Sequence, residues 1–356
     1  MGPDIEARET DGLPTKRSHK KKIFIGVQTI AFAAGLALLI FLIYRTGSET
    51  ILGSITRVGW GFLVIVGLNL TRHLLRAASL YIAVQPEHRN FGYSSVVAAR
   101  FGGEAINFFS FAGPFLGDAA KAVMLRKNLS LTLGASAIIS DNILYYLSVI
   151  LMVLAGVVAL VTGFGSESRA MSNVLIAIVV VGVLLFVMPL LAIQRRIKPV
   201  SSAVRYLGEH GLAPQFLAKR IDDIRDVETN VFEFYHERPR DFFGVFGISV
   251  LTHAISVTEV YLVLHLLGYE ARVFNAFIIE SLTKVINAAF SFVPGTIGVY
   301  EGGNGLILKA LGYTTAMGIT LALVRRGAIL LTTLLGLLIL LWRSTGTIAR
   351  KRLKVS

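Results

Sequence analysis

The chain has 356 residues, 54% of them hydrophobic and only 16% charged, with a formal net charge of +13. A soluble domain of this length would carry about 25% charged residues, whereas several runs of about 20 apolar residues, each long enough to cross the hydrocarbon, and a mean hydropathy of +0.67 describe a polytopic membrane protein. The absence of cysteine excludes disulfides, thiolate metal sites and cysteine nucleophiles. The histidines form no zinc-type helical pair, and the basic residues flank apolar runs instead of building a nucleic-acid platform.

Residues 1–22 are polar, contain Pro3 and Pro14 and end in Lys16, Arg17, Lys20, Lys21 and Lys22, which predicts a disordered, basic cytoplasmic tail. The first apolar run, about 23–44, exceeds a signal-peptide core and is expected to remain as a span. A second span is predicted at about 59–84, then a turn broken by Pro86. An apolar but broken segment follows at about 91–127 and ends in Lys121, Arg126 and Lys127. Spans three and four are expected at about 131–162 and 172–193.

Residues 194–240 form the longest polar stretch. Within it Leu217, Ile221, Ile224, Val227, Val231 and Phe234 recur at three- and four-residue steps, between Lys219, Arg220, Asp222, Asp223 and Arg225. That is an amphipathic helix, lying either on the inner membrane surface or against its own protein. Span five is predicted at about 242–267, a second broken segment at about 273–312, span six at about 315–342, and a basic tail over 343–356.

The two broken segments resemble each other. The first reads Glu104-Ala-Ile-Asn107-Phe-Phe-Ser-Phe-Ala-Gly113-Pro114-Phe-Leu-Gly117-Asp118, and the second Lys284-Val-Ile-Asn287-Ala-Ala-Phe-Ser-Phe-Val-Pro294-Gly295-Thr-Ile-Gly298-Val-Tyr-Glu301. Interrupted helices at corresponding positions of two halves point to a transporter's midplane site. The basic loops all fall on the cytoplasmic side if both broken segments return to the face they entered. The expected fold is therefore an all-α polytopic membrane protein with about six full spans plus two re-entrant helical hairpins in an inverted-topology repeat. One transmembrane domain, 23–342, would hold repeat one at about 59–162, the amphipathic linker at 194–240 and repeat two at about 242–342.

Irregular backbone cannot face lipid, so Gly113-Pro114 and Pro294-Gly295 must be buried in protein or line a wet cavity. Asn107 and Asn287 either satisfy freed backbone groups there or contact a polar ligand. Arg72 and Arg76 share a helix face and form either a phosphate clamp or a pair snorkelling to the surface. Arg325 and Arg326 interrupt span six too deeply for both to snorkel. Asp141, Glu259 and Glu280 are the expected intramembrane carboxylates. Glu280 and Lys284 are spaced for mutual neutralisation, and Glu104 and Lys284 have opposite signs at equivalent repeat positions, suggesting an ion pair between the repeats. No nucleophile, nucleotide loop or metal signature accompanies these carboxylates, so no catalytic residue, metal or cofactor is expected, and transport would run downhill or on an ion gradient.

The second broken segment, Phe-Val-Pro294-Gly295-Thr-Ile-Gly298-Val-Tyr-Glu301-Gly-Gly followed by Leu311-Gly312 and Arg325, resembles the motif closing the flippase-like membrane domain of the lysylphosphatidylglycerol synthase family. Gly113-Pro114, Gly117-Asp118, Lys121 and Asp141 resemble that family's N-terminal motif. The first motif departs from its repeat, since Gly-Pro replaces Pro-Gly and Asp118 follows Gly117 directly. The resemblance implies a stand-alone member lacking the synthase domain, which moves a polar-headed lipid in a bacterial inner membrane with both termini cytoplasmic. The lipid would be an aminoacylated or anionic phospholipid or a polyisoprenoid or hopanoid lipid. The implied gate is Asn107, Gly113, Pro114, Asn287, Pro294 and Gly295. Arg72, Arg76 and Arg325 would hold a phosphate, while Asp118, Asp141, Glu280 and Glu301 would meet cations or protons. Neutralising Arg325 is then expected to stop transport without unfolding. Expected partners are the lipid substrate, an anionic lipid surface, and a second copy of the chain or a lipid-synthesis enzyme, but no nucleic acid. The rival readings are an ion-coupled small-solute transporter, an intramembrane enzyme, and a non-transporting partner in lipid or glycolipid assembly.

Overall fold

The computed structural model describes residues 56–110, 114–165, 169–210 and 220–352, with isolated positions before residue 56. The tail 1–22, nearly all of the expected first span, Gly113, Leu217, Lys219 and residues 353–356 lie outside the described residues. Every described element is helical. Among the described residues, five helices are long and apolar enough to cross a membrane: Gly61–Ala83, Leu131–Phe164, Ser172–Gln194, Pro239–Leu266 and Thr315–Trp342. They match expected spans two to six to within a few residues. The chain is an integral membrane protein.

In chain order, α1 is Gly61–Ala83, α2 Tyr93–Phe109, α3 Pro114–Leu125, α4 Leu131–Phe164 and α5 Arg169–Gln194. Then come α6 Pro199–Glu209, α7 Ile221–Glu237, α8 Pro239–Leu266, α9 Val273–Ala289, α10 Val299–Ala310 and α11 Thr315–Arg352. Local chemistry sets several ends. Ser130 caps α4 by accepting from the Leu133 N–H at 3.2 Å, and Gly165 ends it at φ 71°, where a side chain would be disfavoured. Pro239 opens α8 at a position where its missing N–H costs nothing. Only 6% of the apolar stretch of α5 is buried. Val180, Val181, Leu184 and Leu185 are exposed on it.

Neither broken segment is one long helix. At 1.5 Å per residue α2 and α3 reach about 26 and 18 Å, short of the roughly 30 Å core. They run antiparallel and close together. A Cβ at Gly103 would stand 2.8 Å from the Gly117 carbonyl oxygen, and one at Gly117 2.6 Å from the Gly103 carbonyl oxygen. The second segment folds back likewise through a short turn, Pro294–Thr296. Gly303 on α10 lies against Ile286 of α9, and the Thr283 hydroxyl donates to Asn304 Oδ1 at 3.1 Å. The hairpin tips meet where the Phe108 ring lies against the backbone of Gly295.

Two apolar cores lie on either side of the charged centre. One gathers Ile65, Leu264, Ile278, Ile279, Leu308 and Leu321. The other gathers Leu80, Leu125, Leu144, Phe234 and Val245. The amphipathic helix α7 belongs to the second and packs on its own protein: Val231, Phe232 and Phe234 are buried, and Tyr235 donates to the Ser140 carbonyl at 3.1 Å. Burial pushes the Tyr235 phenol well above the ordinary tyrosine range. Glu228 accepts the Val200 N–H at 2.8 Å, so α7 caps the start of α6.

The end of α1 is fixed by two arginines. Arg89 donates to the carbonyls of Val84 and Ile82 at 3.0 and 2.6 Å. Arg238 donates to those of Ala83, Ile82 and Val84 at 3.2, 2.8 and 2.7 Å. Both also reach Asp241, at 2.7 and 2.5 Å. Helix ends leave carbonyls without intrahelical partners, and here guanidiniums supply them. Arg238→Ala should lower stability by about 2–3 kcal/mol, given 1.5–3 for a charged hydrogen bond. Thermal unfolding in detergent should register this, with Arg238→Lys falling between the two.

Candidate functional site

Among the described residues, four groups of buried or half-buried charges join the central helices. The longest is a string across four helices. Arg72 of α1 donates to Glu259 of α8 at 2.9 Å, Glu259 accepts from Arg325 of α11 at 3.0 Å, Arg325 donates to Glu280 of α9 at 2.8 Å, and Glu280 pairs with Lys284 at 2.9 Å. The side chains of Glu259, Glu280 and Arg325 are at most 5% exposed, whereas Arg72 is 23% exposed. Isolated buried ions cost several kcal/mol each, offset only by close geometry. Alternation of sign supplies that geometry.

A second group joins α1, α4 and α8. Arg76 holds Asp141 bidentately at 3.0 and 2.7 Å and reaches Ser249 at 3.4 Å. Ser79 donates to the same carboxylate, and the guanidinium lies 4.2 Å from the Tyr145 ring centre. The third group is in hairpin one. Glu104 accepts from Arg100 at 3.1 Å and from Lys121 at 3.0 Å, and Lys121 also reaches Asp118 at 2.9 Å. Asn142 of α4 donates to Asp118 at 2.7 Å.

The fourth group organises the tip of hairpin two. Arg326 of α11 pairs with Glu301 and donates to the carbonyls of Gly295 and Thr296 at 2.7 and 3.4 Å. Glu301 in turn accepts the Gly298 N–H at 2.8 Å. The tip is left-handed at Gly295, Thr296 and Gly298, with φ of 57°, 51° and 79°. Glycine adopts this freely; threonine does not and must be held there. Arg326 does the holding.

Between the two tips lies a cavity of about 330 Å³. Hairpin one lines it with Phe101, Glu104, Asn107, Phe108 and Ser110, and hairpin two with Asn287, Ser291, Val293, Gly295, Thr296 and Tyr300. His73 of α1 and Arg326, Ile329, Thr332 and Thr333 of α11 close it. The Asn287 Oδ1 atom is buried without a hydrogen-bond partner. An unmet acceptor of this kind costs about 1–3 kcal/mol.

Of the residues singled out in the sequence, Asn107, Asn287 and Gly295 line this chamber. Asp118, Lys121 and Glu301 stand behind it as partners of Glu104 and Arg326. Pro294 is buried in the tip, Gly298 begins α10, and Gly117 lets α3 approach α2. Pro114 opens α3. Arg72, Arg325, Glu280 and Lys284 belong to the string, and Arg76 and Asp141 to the second group. Arg72 and Arg76 therefore take different carboxylates instead of facing one another across a phosphate. The expected Glu104–Lys284 pair does not form. Antiparallel packing brings Lys121 beside Glu104, and Glu280 is one turn from Lys284.

Sequence reasoning left out Arg100 altogether, and His73, Thr332 and Thr333 as chamber residues. Thr333 follows Arg326 by seven positions, two helical turns on one face, so that spacing was the available signal.

A family model for the lysylphosphatidylglycerol synthase TM region matches residues 28–336. The chain belongs to this family. No curated protein and no solved structure matches it. Within the family's matched region lie both hairpins, four of the five described spans, most of the fifth, and the chamber between the hairpins. A membrane-lipid-related role follows from this membership.

The Arg326–Glu301 pair makes a direct test of tip stability. Arg326→Gln should leave a buried carboxylate and two tip carbonyls unpaired and cost about 3–5 kcal/mol. The double replacement Arg326→Met with Glu301→Met should recover a large part of that. Thermal unfolding of Arg326→Met, Glu301→Met and the double variant completes the cycle; additive losses would show that the two groups are not coupled.

Proposed function

We propose that the protein carries a polar-headed lipid from one leaflet to the other, with the headgroup passing through the chamber between the two hairpin tips. The observation that supports this best is the lining itself: polar side chains from both hairpins converge on one space between the hairpin tips. A second cavity of about 850 Å³ borders the other side of hairpin two, with Gly302, Gly303, Leu306 and Ile319 on its walls. Adjacent residues divide between the two spaces, Asn287 and Ser291 facing the polar one, Ile286 and Phe290 the apolar one. A headgroup and its hydrocarbon chain have the same two needs.

In this reading α1, hairpin one and α4 are related by inversion to α8, hairpin two and α11. The Arg89–Asp241–Arg238 cluster sits where α1 ends and α8 begins, on the side where hairpin one opens. Hairpin two opens where Tyr313 meets Asn275 and the Glu270 carbonyl. Arg126, Lys127, Arg195, Arg196 and Lys198 share the first side, which the positive-inside rule makes cytoplasmic, in a bacterial inner membrane. Rocking of one repeat against the other would expose the chamber alternately. The protein does no chemistry on the lipid. Arg325 serves the string between Glu259 and Glu280, so it supports the gate through structure and not by touching phosphate.

Because the native chain has no cysteine, single introduced cysteines report sidedness cleanly. Asn128→Cys and His210→Cys should react with a membrane-impermeant maleimide from one face, and Glu270→Cys from the opposite face only. Labelling of all three from one face would remove the inversion. Transport is tested by leaflet exchange of fluorescent lipids in proteoliposomes with dithionite quenching. Exchange should exceed that of protein-free vesicles, and Asn287→Leu or Ser291→Phe should slow it about tenfold, the equivalent of one well-placed hydrogen bond. Folded protein that exchanges no lipid would defeat this reading.

A further inference from the structure

We infer that the terminal headgroup admitted by the chamber is uncharged and rich in hydroxyls, a glycosyl or polyol group, and is neither an ammonium nor an acidic group. This rests on the lipid-moving reading above. The first argument is charge. Among the described residues, only Glu104 and Arg326 bring formal charge to the wall, apart from the imidazole of His73. Glu104 is neutralised by Arg100 and Lys121, Lys121 is shared with Asp118, and Arg326 is neutralised by Glu301. Arg100, Lys121 and Arg326 stand against Glu104, Asp118 and Glu301, three against three. An entering ammonium or carboxylate would meet no spare counter-charge in a low-dielectric space, where an uncompensated ion is costly.

The second argument is hydrogen bonding. Most of the polar side chains on the wall both donate and accept, among them the amides of Asn107 and Asn287 and the hydroxyls of Ser291 and Thr333. Neighbouring hydroxyls on a sugar or glycerol have the same dual character. The buried, unpartnered Asn287 Oδ1 calls for an O–H donor, which such a group supplies without bringing charge. The third argument is shape. Phe101, Phe108 and Tyr300 line the same space beside these polar groups, and such a mixture of apolar and polar contacts suits a ring with one C–H face and an equatorial rim of hydroxyls. A volume of about 330 Å³ lies at the small end of ligand cavities, roughly 300–1,000 Å³. It suits one such unit and not a chain of them.

The test has two arms on the full chain. In proteoliposomes of phosphatidylcholine, fluorescent monoglucosyl diacylglycerol should cross at least about tenfold faster than phosphatidylserine or lysylphosphatidylglycerol, and Asn287→Leu should erase that preference. Faster movement of either charged lipid, or equal rates for all, would overturn the headgroup inference while leaving lipid movement intact. Native mass spectrometry of detergent-solubilised protein with equal amounts of the same lipids and phosphatidylglycerol reads binding without movement. Retention of the glucosyl lipid and phosphatidylglycerol over the other two is expected. A glucosyl lead points to a neutral sugar lipid, and parity to the polyol itself. Retention of the glucosyl lipid with no movement of any probe would overturn the transport reading alone. Neither movement nor selective retention would overturn both.

Discussion

A bilayer core offers no water to an unpaired N–H, carbonyl or ion, and the interior of this protein is organised around that deprivation. Glu259 and Glu280 are each bridged by two cations. Asp141 is gripped by a bidentate guanidinium and a serine. Even the last carbonyls of α1 are met by arginine. The helices could pack through apolar contacts alone, as α5 largely does. The central helices do not, because each carries an ion that must find its complement on a particular neighbour. Apolar packing is tolerant of small shifts, whereas a buried ion pair is not. The string from Arg72 to Lys284 therefore fixes the relative placement of α1, α8, α9 and α11 more tightly than the leucines around it.

The same constraint shapes the chamber. No helix of either hairpin is long enough to span the roughly 30 Å core by itself, and the tip of hairpin two carries irregular backbone that would be untenable against lipid. Hairpin two resolves this by turning its carbonyls to Arg326 and an amide to Glu301. With the tip carbonyls and the formal charges met inside the protein, what remains available at the wall is amides, hydroxyls and rings.

Much of the scaffold was legible in the sequence because it depends on local composition. Spans two to six follow from uninterrupted apolar length, and the breaks at residue 114 and at Pro294-Gly295 from the backbone limits of proline and glycine. Ion partners were less legible because partner choice depends on which helix faces run side by side. Glu280 and Lys284, one turn apart, were readable. Glu104 chose Lys121 only because Gly103 and Gly117 allow α2 and α3 to touch. Arg325 and Arg326, adjacent in sequence, point in different directions, one into the string and the other onto the tip of hairpin two. The choice between membrane surface and protein for α7 likewise turned on Phe234 finding a core.

The meeting of Phe108 with Gly295 has a mechanical consequence. An aromatic edge on bare backbone interacts there through dispersion alone, worth about 0.1–0.2 kcal/mol for each atom pair, and it has no preferred angle to defend. It is a smooth bearing surface. The halves of the molecule are keyed together away from the tips by directional ion pairs, while at the tips one ring rests against a residue that has no side chain. Gly295 is thus a clearance as much as a turn: added bulk would not break a bond but would press on the Phe108 ring.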